Sequence, residues 1–181
     1  MIVKETKLKG CFVVEPQVFK DKRGYFVETY NQKKFNKTLG LDINFVQDNE
    51  SQSSKGVLRG LHYQLGEHAQ AKLVRVIKGK VLDVVVDLRH NSSTFGEYLT
   101  IELSEQNKTQ FFVPRGFAHG FLVLEDDTIF SYKCDNFYNK ESEAGIIYND
   151  KDLAIDWNFP TNELIVSEKD ILLPNFKYAR L

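Results

Sequence analysis

The chain has few of the residues and patterns that mark disulfide-rich, membrane-spanning or nucleic-acid-binding proteins. Only two cysteines, four prolines and 11 glycines occur among 181 residues, which excludes a disulfide framework and a low-complexity linker. No apolar run approaches the roughly 20 residues of a membrane span, and residues 1–10 lack the apolar core of a signal peptide. The net charge of −1 gives no argument for a nucleic-acid or acidic-membrane partner. We therefore expect a cytoplasmic protein, with no nucleic-acid or membrane partner, whose Cys11 and Cys134 are buried reduced thiols.

Short apolar segments at regular spacing are the main pattern that is present. Apolar residues make up 42% of the chain, enough for a single domain, 1–181, with a sizeable core. The strand-like segments are 11–14, 25–30, 57–64, 73–77, 81–88, 98–103, 110–113, 120–124 and 128–133. Helical patterns are confined to 31–39 and 167–170. Many short strands separated by turns predict an all-β sandwich or barrel with a few short helices.

Residues 73–88 predict a hairpin that is closed by a turn at Gly79. In its second strand, apolar positions 82, 84, 86 and 88 alternate with Asp83, Val85 and Asp87. This alternation predicts a strand with one apolar face.

Two glycine-containing segments each place one histidine on a predicted strand. They are residues 56–64 (GVLRGLHYQ), with His62, and residues 114–121 (PRGFAHGF), with His119. The free imidazole has a pKa of about 6.5, so it exchanges protons near neutral pH, and it is also a common metal ligand. Two such strands indicate a site inside a barrel that either holds a metal or moves protons.

The spacing of these segments resembles the two motifs of the cupins, whose metal-binding members have His-x-His, then Glu, then a later His. In this chain Gln64 stands at the second His position, and Lys72, counted back from Gly79, stands at the Glu position. An ammonium cannot ligate a metal and would repel it. His68 lies in a polar loop, where we expect a solvated side chain. The sequence therefore predicts no metal site.

Proton transfer suits the same residues better. A neutral His62 can accept a proton, and Lys72 can stabilise the anion formed beside a carbonyl group. Tyr132 is a candidate to return a proton from the opposite side, although a tyrosine of the apolar core would show the same pattern. Arg59 and His62 are three residues apart, so they share a cavity only if Gly60 permits a β-bulge. Spacing alone leaves these alternatives open.

Motifs along essentially the whole chain resemble those of the dTDP-4-dehydrorhamnose 3,5-epimerases. The matching segments are 21–28, 47–49, 56–64, 72–76, 83–89, 114–121, 132–133, 149–150 and 167–170. The resemblance implies a cupin-type β-jelly-roll barrel without metal or cofactor, and a homodimer whose N-terminal segment reaches the neighbouring site. It implies that a dTDP-sugar is the substrate: dTDP-4-dehydro-6-deoxy-D-glucose is inverted at carbons 3 and 5 through an enolate. The product would be dTDP-4-dehydro-L-rhamnose, an intermediate of dTDP-L-rhamnose biosynthesis.

The resemblance also implies roles for individual residues. His62 would be the base, Asp170 its carboxylate partner, Lys72 the enolate stabiliser and Tyr132 the proton donor. The implied substrate contacts are Arg23, Phe26, Glu28, Gln47, Asp48, Asn49, Arg59, His119, Tyr138, Glu143 and Lys169. Of these, Tyr138 would stack on thymine, and the planar guanidinium groups of Arg23 and Arg59 suit a diphosphate.

Three rival functions stay open on the sequence. A sister enzyme with the same base and acid would invert only carbon 3 or carbon 5, or would isomerise a keto sugar. A metal cupin would need a metal for activity, and a sugar-nucleotide-binding cupin would exchange no substrate proton. A protein that only binds the substrate needs no base and no acid, so the presence of both favours the epimerase. Departures from the family pattern, such as Lys140 and Lys151 at positions where the family usually has proline, lie near the end of the site that would hold the nucleotide.

Overall fold

Fourteen short strands and two short α-helices build the chain. The computed structural model describes all residues, 1–181. The strands are β1 (Ile2–Glu5), β2 (Phe12–Glu15), β3 (Val18–Asp21), β4 (Gly24–Val27), β5 (Gln47–Ser53), β6 (Val57–Gln64), β7 (Lys72–Lys78), β8 (Lys80–Asp87), β9 (Tyr98–Ser104), β10 (Gln110–Val113), β11 (Phe117–Val123), β12 (Thr128–Cys134), β13 (Glu143–Gly145) and β14 (Ile165–Val166). The α-helices are α1 (Gln32–Leu39) and α2 (Glu168–Ile171), and 3₁₀ turns lie at Gly66–His68, Thr161–Glu163 and Phe176–Tyr178. None of the helices is long and apolar enough to cross a membrane.

The strands form two six-stranded sheets and a separate hairpin. The first sheet has the order β1-β2-β10-β7-β12-β5. The second has the order β13-β6-β11-β8-β9, with β14 added in parallel beside β6. Strands far apart in the chain are neighbours, such as β2 with β10 and β6 with β11, which is the connectivity of a jelly roll rather than of a meander. The predicted all-β, cupin-type jelly-roll barrel is confirmed.

Three apolar layers hold the sheets together. Between the sheets, the largest buried side chains are Phe111 and Phe130 from the first sheet and Phe117 and Phe121 from the second. The outer face of the second sheet is covered by the C-terminal segment, which packs Trp157 against it. The outer face of the first sheet is covered by α1 through Phe35. Each sheet is therefore buried on at least part of both faces, which fixes its strands around the interior of the barrel.

Strand β8 is buried on both faces, so the single apolar face predicted for it was wrong. Val84 and Val86 pack in the layer beneath the C-terminal segment, and Val85 packs between the sheets. Asp83 and Asp87 are also fully buried. In the sequence the two aspartates look like residues of a solvent-facing strand face. Inside the protein, Asp83 pairs with His119, which is distant in the sequence, and Asp87 pairs with the nearby Arg89.

The predicted strand bounds were correct for β6 and β10 and differed by a few residues elsewhere. β4 ends at Val27 rather than residue 30, and β11 begins at Phe117 rather than residue 120. The unpredicted strands are β1, β3, β5, β13 and β14. Strand β5 reads QDNESQS and contains no apolar residue, yet it pairs with β12 at seven positions. Both helices were predicted, and their N-caps are Asn31 and Ser167.

Candidate active site

A cavity of about 560 Å³ lies between the two sheets. Strands β5, β6, β7, β11 and β12 contribute to its wall, together with the segment from β14 to α2. Its lining residues are Glu50, Ser51, Val57, Leu58, Arg59, His62, Lys72, His119, Phe121, Tyr132, Ile165, Val166, Ser167, Lys169 and Asp170. The cavity thus brings together His62, Lys72, Tyr132, Asp170, Arg59, His119 and Lys169, which are seven of the residues singled out in the sequence.

A β-bulge in β6 lets Arg59 and His62 line the same cavity. His62 pairs with His119 and Arg59 pairs with Phe121, so three steps along β6 oppose two steps along β11. Gly60 lies at this irregularity with a φ of +124°, in a region that favours glycine. A Cβ atom at residue 60 would lie 2.6 Å from the Gly120 Cα. The β-bulge at Gly60 that Arg59 and His62 need in order to share a cavity is therefore present.

His62 and Asp170 form a hydrogen-bonded pair at the cavity wall. The His62 Nε2 atom lies 2.7 Å from the Asp170 Oδ1 atom, and the Asp170 side chain is only 5% exposed. Burial raises the pKa of Asp170, but its hydrogen bonds with His62, the Gly60 N–H and the Ser167 side chain outweigh that effect, so the net pKa is lowered. An ionised Asp170 accepts a hydrogen bond from Nε2–H and leaves Nδ1 of His62, which has no partner in the chain, as the basic nitrogen.

The short helix α2 brings Asp170 to this position. Ser167 caps the helix by accepting a hydrogen bond from the Asp170 N–H. Immediately before it, β14 pairs with the start of β6, which anchors the segment beside His62. A carboxylate that the chain pattern alone would assign to the surface is therefore buried.

Lys72 and Tyr132 face the cavity from neighbouring strands. The Lys72 Nζ atom lies 5.7 Å from the centre of the Tyr132 ring. Burial lowers the pKa of Lys72. Burial also raises the pKa of Tyr132, which keeps the phenol protonated. Tyr132 packs against Phe130 at a ring separation of 6.1 Å, so it contacts both the apolar core and the cavity.

His119 forms a second histidine–carboxylate pair, with a residue that the sequence analysis did not single out. Its Nε2 atom lies 2.8 Å from Oδ2 of Asp83, and both side chains are buried. Oδ1 of Asp83 has no hydrogen-bond partner. A carboxylate within an otherwise apolar buried strand was the signal for such a pair, because an ionised group is buried only when it is compensated. The sequence could not identify the partner, which lies 36 residues away.

Four more of the predicted substrate contacts form a hydrogen-bonded rim that begins at Lys169. Lys169 Nζ contacts Glu143 Oε1 at 2.6 Å, and the Tyr138 hydroxyl donates to Glu143 Oε2 at 2.9 Å. The Tyr138 N–H donates to Gln47, whose amide donates in turn to Asn49. Burial raises the pKa of Glu143, but the bonds from Lys169 and Tyr138 outweigh it and lower the net pKa. This rim includes Glu143, Tyr138, Gln47 and Asn49.

The other four predicted contacts do not line the cavity of this single chain. Asp48 alternates with Gln47 and Asn49, so its side chain lies on the opposite face of β5, where it pairs with Lys133. Arg23 and Phe26 belong to the exposed β3–β4 hairpin, and Glu28 follows it and pairs with Lys34. The structure thus does not bring these four residues to His62.

The residues at the cupin metal positions make other contacts. Gln64 accepts a hydrogen bond from the Asn139 N–H. His68 is partly buried and lies 3.0 Å from the Ser142 hydroxyl through Nδ1, so the solvated side chain expected for it was wrong. The chain has no cluster of three or more His, Cys, Asp or Glu side chains arranged to hold a metal.

Comparison with known proteins assigns the chain to a family. A model of the family described as dTDP-4-dehydrorhamnose 3,5-epimerase matches residues 5–178. The chain belongs to the dTDP-4-dehydrorhamnose 3,5-epimerase family. Within the family, the enzyme of this name from Methanothermobacter thermautotrophicus is 52% identical over 167 residues, which cover 92% of this chain and 89% of the relative.

Solved structures of the epimerase family share the fold over nearly the full chain. The dTDP-4-dehydrorhamnose 3,5-epimerase from Elizabethkingia anophelis is 60% identical with a TM-score of 0.94, covering 98% of this chain and 97% of that one. The dTDP-6-deoxy-D-glucose-3,5-epimerase from Legionella pneumophila, in complex with dTDP-4-keto-L-rhamnose, is 44% identical with a TM-score of 0.94. The match covers 98% of this chain and 93% of the Legionella chain. The resemblance seen in the sequence is confirmed.

Proposed function

We propose that this chain inverts carbons 3 and 5 of dTDP-4-dehydro-6-deoxy-D-glucose and so forms dTDP-4-dehydro-L-rhamnose. The observation that carries the proposal is the His62–Asp170 pair, 2.7 Å apart, in one cavity with Lys72 and Tyr132. The complex of the Legionella relative with dTDP-4-keto-L-rhamnose supports the same substrate class. Residues 1–181 are proposed to act as one domain, because strands from both halves of the chain form the cavity wall.

The proposed base is Nδ1 of His62. The ketone at carbon 4 acidifies the neighbouring C–H bonds, so Nδ1 takes a proton from carbon 3 or carbon 5, and the bonding electrons form an enolate. Asp170 stabilises the resulting imidazolium through Nε2–H, as a carboxylate does in a catalytic triad. General-base catalysis of this kind contributes about 10²–10⁴-fold to the rate.

Lys72 and Tyr132 complete the proposed reaction. The ammonium of Lys72 stabilises the enolate oxygen in a partly desolvated site, where charge interactions are stronger than in water. Tyr132 then donates its hydroxyl proton to the other side of the carbon, which inverts the centre, and the proton on His62 restores the phenol through solvent. The substrate ketone accepts the electrons, so this chemistry requires no cofactor.

The remaining contacts are proposed to bind the nucleotide and the sugar. The Arg59 guanidinium, held by the Ser53 hydroxyl at 3.2 and 3.3 Å, suits the diphosphate together with Lys169. His119, Gln47, Asn49 and Glu143 would contact the substrate, and the exposed ring of Tyr138 would stack on the thymine. Asp48 is kept as a proposed contact in the family motif, although its side chain faces away from the cavity in this chain.

We propose that Arg23, Phe26 and Glu28 act in the site of a neighbouring copy in a homodimer. The β3–β4 hairpin exposes the apolar rings of Phe19, Tyr25 and Phe26 by 53%, 56% and 67%. Large apolar side chains clustered on one exposed hairpin favour a protein contact. A cytoplasmic location also stays part of the proposal, and the two buried free thiols are compatible with a reducing compartment.

Proton NMR of dTDP-4-dehydro-6-deoxy-D-glucose in deuterated water tests this function. Incubation with the protein should place deuterium at carbons 3 and 5, and a reductase should trap the product as dTDP-rhamnose. Exchange at one carbon only would identify the sister enzyme. Binding of dTDP without exchange would identify a binding protein, and activity abolished by a chelator would identify a metal enzyme.

A further inference from the structure

Asp83 is a buried carboxylate that the proposed chemistry does not use. Its side chain is 0% exposed and lies on β8, which runs beside the strand of His119. Its Oδ2 atom contacts His119 Nε2 at 2.8 Å. A fully buried charge is costly, and a core strand normally carries an apolar residue at such a position. The position therefore requires an explanation other than packing.

The second oxygen of Asp83 makes this cost larger. Only three buried side-chain polar atoms in the chain lack a hydrogen-bond partner, and Asp83 Oδ1 is one of them. Burial raises the pKa of Asp83, and the hydrogen bond with His119 and the positive charge of Lys72 offset only part of that rise. The carboxylate is thus compensated from the direction of the cavity, where both of those residues lie.

The contact with Asp83 determines which nitrogen of His119 can reach a ligand. Nε2 is occupied by the carboxylate, whereas Nδ1 has no partner in the chain and is not among the buried unpartnered atoms. The ring lies against Phe130 at a separation of 6.1 Å and an interplanar angle of 22°. Since His119 lines the cavity and is 6% exposed, Nδ1 is the nitrogen that opens to the cavity.

We infer that Asp83 is a positioning residue that holds His119 in the Nε2–H tautomer, so that Nδ1 accepts a hydrogen bond from a hydroxyl of the bound sugar. An ionised carboxylate only accepts hydrogen bonds, so it requires the proton on Nε2 and leaves a lone pair on Nδ1. The inference rests on the proposed function, which makes the cavity a sugar site. It adds a second histidine–carboxylate pair that binds the sugar, beside the His62–Asp170 pair that moves the proton.

Nitrogen-15 NMR of the imidazole rings tests the inference without any substrate. The chain has four histidines, so the His119 signals can be assigned with one His119→Asn variant. We expect Nε2 of His119 to carry the proton in the wild type. Asp83→Asn keeps the shape of the side chain, but its amide can present either the C=O or the NH2 group to Nε2, so the fraction of His119 with the proton on Nδ1 should rise. Asp87→Asn removes another buried carboxylate from the same strand and should leave the His119 tautomer unchanged.

Two results would overturn the inference in this experiment. One is a wild-type His119 that already carries its proton on Nδ1. The other is an Asp83→Asn protein whose His119 tautomer is the same as in the wild type. The wild-type spectrum shows which nitrogen of His119 carries the proton even if the variant fails to fold.

A double-mutant cycle tests whether Asp83 acts through His119. Asp83→Asn should lower kcat/KM by about 10- to 100-fold, the size expected for one lost hydrogen bond in a desolvated site. In a His119→Asn background the same change should cost almost nothing further. If the fold-losses in kcat/KM of the two single variants multiply in the double variant, the two residues act independently and the inference is overturned. A wild-type protein that exchanges no substrate proton for deuterium would instead refute the proposed function. The tautomer experiment could still be interpreted in that case, because it uses no substrate.

Discussion

At the scale of single residues, both imidazoles of the cavity are held in the same way. His62 and His119 each use Nε2 to contact a buried carboxylate, and each has an Nδ1 atom without a partner in the chain. Their surroundings differ, because the His62 side chain is 32% exposed and the His119 side chain only 6%. The more open histidine is suited to exchange protons with substrate and solvent, and the enclosed one is suited to a fixed hydrogen bond.

Replacing Asp170 by Asn should impair catalysis much more than binding. The amide cannot stabilise an imidazolium and can hold His62 in the wrong tautomer, so we expect kcat/KM to fall by about 10²–10⁴-fold. Affinity for dTDP, measured by calorimetry, should stay close to the wild-type value. Asp42→Asn, at an exposed aspartate, is the matched control and should be fully active. Wild-type kinetics in Asp170→Asn would contradict a catalytic role for the His62–Asp170 pair.

At the scale of elements, the bulge in β6 decides which side chains meet in the cavity. Gly60→Ala would place a Cβ atom 2.6 Å from the Gly120 Cα and 2.8 Å from the His119 carbonyl oxygen. Because backbone must move to relieve these contacts, we expect a loss of at least about 2 kcal/mol in the free energy of unfolding. Activity should fall as well, since Arg59 and His62 would no longer share one wall.

Gly40→Ala is the control for the bulge. Gly40 also has a positive φ, of 68°, but a Cβ there would meet nothing within 4 Å. The substitution should therefore cost only about 1 kcal/mol and leave activity intact. Urea unfolding of both variants measures the difference. Equal stability and equal activity of the two variants would show that the close approach at Gly60 has no functional consequence.

The loop after β8 should become less stable in acid because of Asp87. Burial raises the pKa of Asp87, but hydrogen bonds from Arg89, Ser92 and Thr94 outweigh it and lower the net pKa to about 2. A carboxyl group whose pKa is lowered in the folded state stabilises the protein above its unfolded pKa of about 4, and this contribution disappears as the pH falls through about 2. The contribution at neutral pH is about 2 kcal/mol.

Urea unfolding of the wild type and of Asp87→Asn at two pH values checks this contribution. The gap in unfolding free energy between the two proteins should be smaller at about pH 2.5 than at about pH 7. A gap that is the same at both pH values would mean that the ionised carboxylate does not stabilise the loop.

At the scale of the whole molecule, the sequence predicted the barrel better than the cavity. Strands β6 and β10 combine apolar residues with flanking turn signals, so their bounds could be read directly. Strand β5 was missed because its inward residues are polar, with Ser51 in the cavity wall and Asn49 in the rim, and so leave no apolar alternation. Asp170 has no local signal either, because its burial depends on contacts with His62 and Gly60 more than 100 residues away. The family resemblance identified it, and the chain pattern did not.

Complementation between two inactive variants tests the proposed homodimer. Arg23→Ala should damage the site of the neighbouring copy, and His62→Asn should damage the site of its own chain. A mixed dimer then contains one intact site, so refolding equal amounts of the two variants together should restore about a quarter of wild-type activity. Size-exclusion chromatography with light scattering provides the oligomeric state as a control. No restored activity in a verified mixed dimer would contradict a shared site.

The most direct test of the whole account is the fate of carbon 5 in Tyr132→Phe, followed by NMR in deuterated water. The proposed mechanism places a base, His62, on one side of the sugar and an acid, Tyr132, on the other. Removal of the phenol hydroxyl should therefore leave part of the proton abstraction in place while blocking inversion at carbon 5. His62→Ala should abolish exchange altogether. If Tyr132→Phe inverts carbon 5 at the wild-type rate, the two-sided mechanism is wrong.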